Sequence, residues 1–457
     1  MKKIVKKFVF LIICFLQGIY SQGLAQEDNS VSWVYRFTFE EAIAYGAENN
    51  YDIKKADYDF KVAEKKVWEA ISKGLPQIDG MAQYQNNLKQ PITLLPGEIV
   101  GGSPGTFIKT TFGTKQTMTA GVGWNQLIFN GNYLVAIQVS KVSKRIEELT
   151  KNKTEIEVKT AVAQAYSSVI IAEENVKILE KNIEVAEKNL HESSESYKAG
   201  FIELQSVEQL ELSLAQLKNA YERSKRLINI SKDNLKFVMG IPVTDNITLE
   251  DTIDDMITKN LTTSLVEEKF DIENNVDYLI SQKAIRSKKL LLRLNKSNAL
   301  PSLRGSLNYS YTKGSKEFPL SDDEFSWYPS LVLGVNLNVP IFSSFKRNSQ
   351  RQQAKIELEK AYVTNTQLEE QLELEVRTQR TSYENSVETY YVSKDNMKLA
   401  EKIYKKERIK YFGGISTSND LRVSENQYYN TQSDYVTSVL NLINAKIALD
   451  KALNKYN

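Results

Sequence analysis

Residues 133–197 read YLVAIQVSKVSKRIEELTKNKTEIEVKTAVAQAYSSVIIAEENVKILEKNIEVAEKNLHESSESY, a run without proline or glycine. Its first apolar residues lie alternately four and three residues apart, which is typical of a helix that packs along a narrow seam. They are Val135, Val139, Val142, Ile146 and Leu149. At about 1.5 Å per residue, a helix of roughly 65 residues is about 100 Å long, too long for a globular core. We therefore expect the rest of the chain to pair with this helix or to repeat it.

The N-terminus has the three parts of a secretory signal peptide, which we predict at residues 1–25. Four lysines precede a mostly apolar run at residues 8–20, and small residues at Gly23 and Ala25 suit a cleavage site. The apolar run is too short for a stable spanning helix. Cys14 suggests a lipoprotein site, but Ile13 before it is bulky, so we do not expect lipidation. The chain is predicted to leave the cytoplasm without a helical anchor.

Composition limits the partners of the exported chain. Loss of the predicted signal peptide removes four lysines and no acidic residue, so the formal charge changes from +2 to −2. A near-neutral balance argues against a nucleic-acid partner. Cys14 is the single cysteine, so the exported chain has to be held by packing or assembly rather than by disulfides.

The order of predicted elements occurs twice. The first repeat, residues 26–245, contains a helix at about 38–74, strands at about 77–87 and 118–129, a long helix at 133–197 and a return helix at 204–239. A loop is predicted between its strands, at residues 88–117, because that stretch is rich in Gly, Pro and Thr. The second repeat, residues 246–457, contains a helix, strands at about 302–312 and 328–342, a long helix at 345–411 and a return helix at 417–455.

Matching positions hold register between the repeats. Leu75-Pro76 recurs as Leu300-Pro301, and Tyr197 with Gly200 recurs as Tyr411 with Gly414. Such spacing over several elements indicates an internal duplication.

The predicted strands alternate apolar and polar residues over about a dozen positions, long enough to cross a bilayer when tilted. The clearest case has apolar residues at every second position, namely Leu331, Leu333, Val335, Leu337, Val339 and Ile341. A small soluble sheet with one buried face would alternate in the same way. Four strands cannot close a barrel, since about eight are needed. If the strands span a membrane, several chains must share one barrel.

These features together resemble the TolC-like outer-membrane efflux factor family. The resemblance rests on the duplication, the two Leu-Pro junctions, the strand-to-helix stretches at 127–131 and 340–342, and the Tyr-x-x-Gly turns at Gly200 and Gly414. It implies an α+β membrane protein in the outer membrane, formed as a homotrimer with a shared 12-stranded barrel and a helical coiled-coil tunnel in the periplasm. It also implies a periplasmic adaptor protein and an inner-membrane pump of the RND or ABC type.

The resemblance also assigns roles to residues around the two turns. The adaptor-docking tips would be Lys198, Ala199, Gly200, Phe201 and Ile202 in the first repeat and Phe412, Gly413, Gly414, Ile415 and Ser416 in the second. The tunnel constriction would lie at Asp420 and Tyr411, although Val423 replaces a second acid that the family often carries. An ordinary glycine-capped turn and a solvated aspartate would leave the same pattern.

Charges of opposite sign lie near the two turns. The first repeat carries Glu192 and Glu195, and the second carries a basic group that includes Lys405, Lys406, Lys410 and Arg408. These patches would either be solvated helix faces or meet between hairpins and hold the entrance closed. In the second case, reversal of Lys405 and Lys406 to Glu should raise channel conductance.

No motif for catalysis or cofactor binding occurs in the sequence. His191 is the single histidine and has no cysteine near it, so we expect neither a metal site nor an enzyme. The sequence therefore favours a passive exit duct of a tripartite efflux or type I secretion system, with outer-membrane lipid around its strands. The alternative is an exported coiled-coil scaffold. Residues 242–267 are predicted to form a small belt around the helices.

Overall fold

The computed structural model describes residues 34–111, 113–261, 268–320 and 326–456. The predicted signal peptide and Cys14 lie outside these ranges. The α-helices in them are α1 (Phe39–Asn49), α2 (Tyr51–Ser72), α3 (Gly131–Lys198), α4 (Leu204–Met239), α5 (Ile253–Asn260), α6 (Val276–Ser297), α7 (Lys346–Phe412) and α8 (Ser418–Ala452). The strands are β1 (Val34–Phe37), β2 (Gln77–Asn86), β3 (Ile92–Pro96), β4 (Phe107–Thr111), β5 (Gln116–Asn130), β6 (Asn246–Leu249), β7 (Ser302–Ser315) and β8 (Tyr328–Asn338).

Two long helices dominate the fold, α3 with 68 residues and α7 with 67. Each turns back at its end into a shorter partner, so α3 with α4 forms the first hairpin and α7 with α8 forms the second. None of the described helices is both long and apolar enough to span a bilayer. The duplicated order of helix, two strands, long helix and return helix is confirmed.

The prediction of one continuous helix at 38–74 is wrong, because the backbone is extended at Asn50 between α1 and α2. The Asn50 side chain accepts hydrogen bonds from the backbone of Asp52 at 2.6 Å and Ile53 at 3.3 Å, and so starts a new helix. Its amide also donates to the carbonyl of Val238, at 2.6 Å. Asn275 caps α6 in the same way in the second repeat, where a short 3₁₀ turn takes the place of α1.

Four strands form one antiparallel sheet in the order β2–β5–β7–β8. Its register places apolar residues in rows across all four strands on one face. One such row is Ile78, Trp124, Leu307 and Leu333, and the next is Gly80, Val122, Tyr309 and Leu331. Rows on the other face are mostly polar or small, for example Gln83, Thr119, Thr312 and Tyr328. The sheet therefore has one apolar and one polar face, with β2 and β8 as its edges.

Two strand predictions need correction. The last strand ends at Asn338 rather than at residue 342, because Pro340 has no N–H to donate and the chain then turns through left-handed backbone at Ser344 and Phe345. Residues 88–117 are not only a loop, since β3 and β4 pair there as an antiparallel hairpin.

A second small sheet, not predicted from the sequence, pairs β1 with β6 in parallel. It packs with α5 on the middle of the long helices, around the buried side chains of Tyr166, Met239 and Met256. β6 and α5 occupy the described part of the predicted belt, and residues 262–267 lie outside the described ranges. This region is the main hydrophobic core, because both hairpins and both short sheet strands contribute to it.

Candidate functional site: the hairpin ends and the seam between the hairpins

The two hairpin ends have the same backbone design. Gly200 has φ +79° and Gly414 has φ +73°, a left-handed conformation that glycine adopts without strain. The next N–H bonds back to the helix in each case, from Phe201 to the Ser196 carbonyl and from Ile415 to the Lys410 carbonyl, both at 2.9 Å. The side chains of Phe201 and Ile415 are 83% and 82% exposed. Each end thus presents one bulky apolar side chain to the outside.

The other predicted tip residues support these turns. Ala199 and Gly413 are the C-caps of α3 and α7. Lys198 pairs with Glu195 of the same helix at 2.8 Å, and the hydroxyl of Ser416 donates to Glu407. The guanidinium of Arg408 lies over the ring of Phe412, 5.5 Å from the ring centre. Ile202 is half-buried beside the start of α4.

Asp420 lies in the first turn of α8 with an exposed side chain. Its carboxylate accepts hydrogen bonds from the Thr417 hydroxyl at 2.6 Å and the Thr417 N–H at 3.2 Å, which forms a capping box. The hydroxyl hydrogen bond lowers the pKa of Asp420, so the carboxylate carries its charge over a wide pH range. Asp420 therefore caps the helix. Its side chain is exposed, and its role at the constriction stays a prediction.

Tyr411, the other predicted constriction residue, is buried rather than exposed. Its hydroxyl lies 3.3 Å from the hydroxyl of Ser193 on α3. The same cluster holds Leu210, Tyr404 and Leu421. The structure thus separates the two predicted residues, with Asp420 on the surface of α8 and Tyr411 between the hairpins.

A row of buried and half-buried polar contacts joins the hairpins, and we call it the seam. Asn182 donates to Gln432 at 2.7 Å, and Asn189 donates to the Tyr404 hydroxyl at 2.8 Å. Arg408 donates from Nε to Asn189 at 2.6 Å and from Nη2 to Glu192 at 3.2 Å. The seam residues come from different helices, so sequence spacing within one helix could not pair them.

Glu425 is the buried carboxyl of the seam, with no exposed surface. It accepts hydrogen bonds from Ser213 of α4 and from Tyr429, both at 3.0 Å. Within the described residues no lysine or arginine forms an ion pair with it. Burial therefore raises its pKa, and burial also raises the pKa of Tyr404 to about 12.

The predicted closing charges pair differently from the expectation. Glu195, Lys405 and Lys410 each bind a partner on their own helix, the last two being bound to Glu401 at 2.6 Å and Glu407 at 3.0 Å. Lys406 is exposed, and no ion pair to it occurs in the described part of the chain. Glu192 does meet the second hairpin, through Arg408. A closing role for the others stays a prediction about contacts between chains.

The tyrosines of α7 are a sequence signal for the seam. Tyrosines recur at multiples of seven along α7, at Tyr383, Tyr390, Tyr404 and Tyr411, and all four are buried. A seven-residue repeat marks one face of a packed helix. Its tyrosines predict a buried face with hydroxyl groups in it. In the described residues no cluster of His, Cys, Asp and Glu is suited to a metal ion.

Comparison with known proteins identifies the family. A family profile described as outer membrane efflux protein matches residues 46–241 and 272–455, one segment in each repeat. No curated protein matches the chain by sequence comparison.

Solved structures share the fold at low identity. CusC, described as forming a transmembrane channel, is similar over 94% of this chain and 95% of its own, with a TM-score of 0.71 at 14% identity. The outer membrane channel CmeC of Campylobacter jejuni is similar over 95% of this chain and 90% of its own, with a TM-score of 0.68 at 16% identity. VceC, an outer membrane protein of Vibrio cholerae, is similar over 91% of this chain and 96% of its own, with a TM-score of 0.68 at 15% identity. The chain belongs to the outer membrane efflux protein family, the TolC-like family that its sequence resembles.

Proposed function

We propose that three copies of this chain form one exit duct, with their sheets closed into a single outer-membrane barrel and their hairpins into a tube in the periplasm. The four-stranded sheet is the observation that carries this proposal. Its apolar face is open, with Leu333 and Val335 of β8 73% and 69% exposed. Its edge strands β2 and β8 lack an outer neighbour within the described chain.

Edge strands cannot stay unpaired in hydrocarbon, because each free N–H and C=O group would cost several kcal/mol without water. Pairing β8 of one copy with β2 of the next satisfies both edges. Three copies give twelve strands, above the minimum of about eight for a closed barrel. The apolar rows then face lipid and the polar rows face the pore.

The alternative, a soluble coiled-coil scaffold, leaves the apolar face without a cover. In the described residues the main hydrophobic core lies between the hairpins and the β1–β6 sheet. The main sheet is not covered by it, and its Ile78, Leu331 and Leu333 are exposed. A large exposed apolar surface marks a site that contacts lipid or another chain. This observation favours the duct.

In the proposed assembly the hairpin ends face away from the membrane and dock a periplasmic adaptor. Phe201 and Ile415 are suited to this, because an exposed apolar side chain on a rigid turn can fill a pocket on a partner. An inner-membrane pump, of the RND or ABC type, would supply the energy. The duct itself is passive and exports what the pump delivers.

The seam provides the closed state of the entrance in this proposal. Buried hydrogen bonds hold the second hairpin against the first, and they are weaker than aliphatic packing once water can replace them. Opening would move the second hairpin away and break the contacts of Tyr404, Arg408 and Tyr411. Three copies of Asp420 would then line the narrow point near the tips as an acidic ring.

The test is the conductance of protein purified from outer membranes and inserted into planar bilayers. Arg408→Ala removes the hydrogen bonds to Asn189 and Glu192. Hydrogen bonds to charged groups contribute about 1.5–3 kcal/mol, and about 1.4 kcal/mol changes an equilibrium tenfold. We expect the open population to rise about tenfold or more.

Arg377→Ala is the matched control, because Arg377 pairs with Glu373 of its own helix at 3.5 Å, away from the predicted closing charges, and the change should leave conductance unchanged. An unchanged conductance of Arg408→Ala would refute the seam as the closing contact. Absence of any ion conductance in both proteins would favour the scaffold.

A further inference from the structure

The outer side of α7 near its end carries unpaired positive charge. Lys398, Lys402 and Lys406 recur every fourth residue and are exposed, on the side away from the buried Tyr404 and Tyr411. No ion pair or hydrogen bond to these three lysines occurs within the described residues. Neighbouring Lys405 and Lys410 differ in this respect, since each is held by a glutamate of α7.

The first turns of α4 carry unpaired negative charge. Glu208 and Glu211 are exposed and, among the described residues, have no ion-pair partner. No lysine or arginine occurs in α4 before Lys218, which binds Glu187 of α3 at 2.7 Å. This end of α4 is thus an acidic surface of the first hairpin, as α7 is the basic surface of the second.

Both surfaces lie at the same height along the hairpins. Leu210, between the two glutamates on α4, packs in one cluster with Tyr404 and Tyr411. Those tyrosines lie on either side of Lys406 in α7. Within one chain the two charged surfaces point away from this shared cluster, so they do not meet each other.

We propose that the basic side of α7, formed by Lys398, Lys402 and Lys406, docks on the acidic start of α4, at Glu208 and Glu211, of a second copy of this chain. The proposal rests on the proposed trimeric duct. Rotation about the tunnel axis preserves height, so surfaces at one level in a single chain meet at that level between neighbours. The opposite charges then lie at one interface between neighbouring chains and close the ring of hairpins.

A second copy fits these surfaces better than a foreign partner does. A foreign protein would need to match only one of the two surfaces, whereas here both signs occur on one chain at one height. Opposite charges within about 8 Å attract at physiological salt, and isolated solvated faces would have no reason to be matched in height.

Cysteine cross-linking tests the contact, in variants that all carry Cys14→Ser so that no native thiol remains. Glu208→Cys with Lys406→Cys is purified from outer membranes and treated with a short bis-maleimide. The proposal predicts covalent dimers and trimers on a denaturing gel. Monomers alone would overturn it.

Glu192→Cys with Arg408→Cys is the matched control. These residues meet within one chain, so the reagent should form a loop in the monomer and no dimer. The detergent-corrected mass of the same samples separates the two proposals. A trimer without cross-links refutes this contact and leaves the duct standing, whereas a monomer refutes both.

Charge exchange tests whether the contact is electrostatic. Lys402→Glu with Lys406→Glu should reduce the resistance of the trimer to dissociation by heat in detergent, and added Glu208→Lys with Glu211→Lys should restore it. Lys360→Glu, elsewhere on α7 and exposed, is the control and should have no effect. If the reversal spares the trimer and removes only the binding of an adaptor protein, the surface belongs to that partner and the proposal is wrong.

Discussion

The residues that join the two hairpins are polar at positions where a coiled coil usually carries aliphatic side chains. Asn189 and Ser193 have no exposed surface, and the side chain of each forms a hydrogen bond with a tyrosine hydroxyl of α7. A buried hydrogen-bonded contact specifies one alignment of two helices and stabilises it only modestly. Such residues suit a contact that has to hold in one state and separate in another.

Glu425 gives the seam a pH dependence with a defined sign. Its pKa is raised above the ordinary 4.5 by burial, so the folded seam keeps the proton to higher pH than the unfolded chain does. The contribution to stability is therefore complete below pH 4.5 and is lost as pH rises through the raised pKa. Each unit by which the pKa is raised costs about 1.4 kcal/mol once the group ionises.

We predict that Glu425→Gln, which is neutral and of the same shape, is more stable than the wild type at neutral pH and equal to it at low pH. Thermal unfolding of the purified protein between low and neutral pH measures the difference. Glu401→Gln is the control, because Glu401 is only half-buried and pairs with Lys405. If wild type and Glu425→Gln have parallel pH profiles, burial does not control this carboxyl.

At this scale the sequence predicted positions better than partners. It placed both glycine turns, and their left-handed φ angles explain why glycine occurs there. It could not predict that Glu192 meets Arg408 or that Ser193 meets Tyr411, because those contacts depend on how two hairpins are rotated against each other. Asp420 was identified by resemblance, although its sequence also fits the capping box that the structure shows.

The elements follow from local patterns where the pattern is long. Seven-residue spacing predicted α3, and alternation predicted most of β5 and β7 and all of β8, although the predicted range runs past the end of β8. Asn50 interrupts a helical pattern through its own side chain, and β1 pairs with the distant β6, so neither leaves a periodic signal. The β3–β4 hairpin lies in a Gly- and Thr-rich stretch whose composition is typical of a loop.

The two faces of the main sheet make opposite predictions for an added charge. Leu333→Arg puts a cation on the apolar face, where arginine near the middle of a bilayer costs about 2–4 kcal/mol. We expect less assembled protein in the outer membrane and a lower unfolding midpoint in detergent. Ser330→Arg, on the polar face opposite Ser310, is the control and should assemble normally. Equal loss in both variants would show that the apolar face does not contact lipid.

The whole molecule unites one sheet and two hairpins of almost equal length, and each part is incomplete alone. The sheet has two free edges in the described chain, and the hairpins have charged sides that find no partner within it. Threefold rotational symmetry would pair the two sheet edges between neighbouring chains and would also bring the charged sides of their hairpins together. Sequence alone predicted this assembly by resemblance, since symmetry leaves no pattern in a single chain.

The mass of the protein extracted from outer membranes in mild detergent, corrected for bound detergent, tests the shared duct most directly. The proposal predicts one species with three times the protomer mass, stable to dilution, because pairing of β8 with β2 leaves no free edge. A stable monomer in the membrane extract would leave four strands with two open edges in lipid. That result would contradict the duct and favour the exported scaffold.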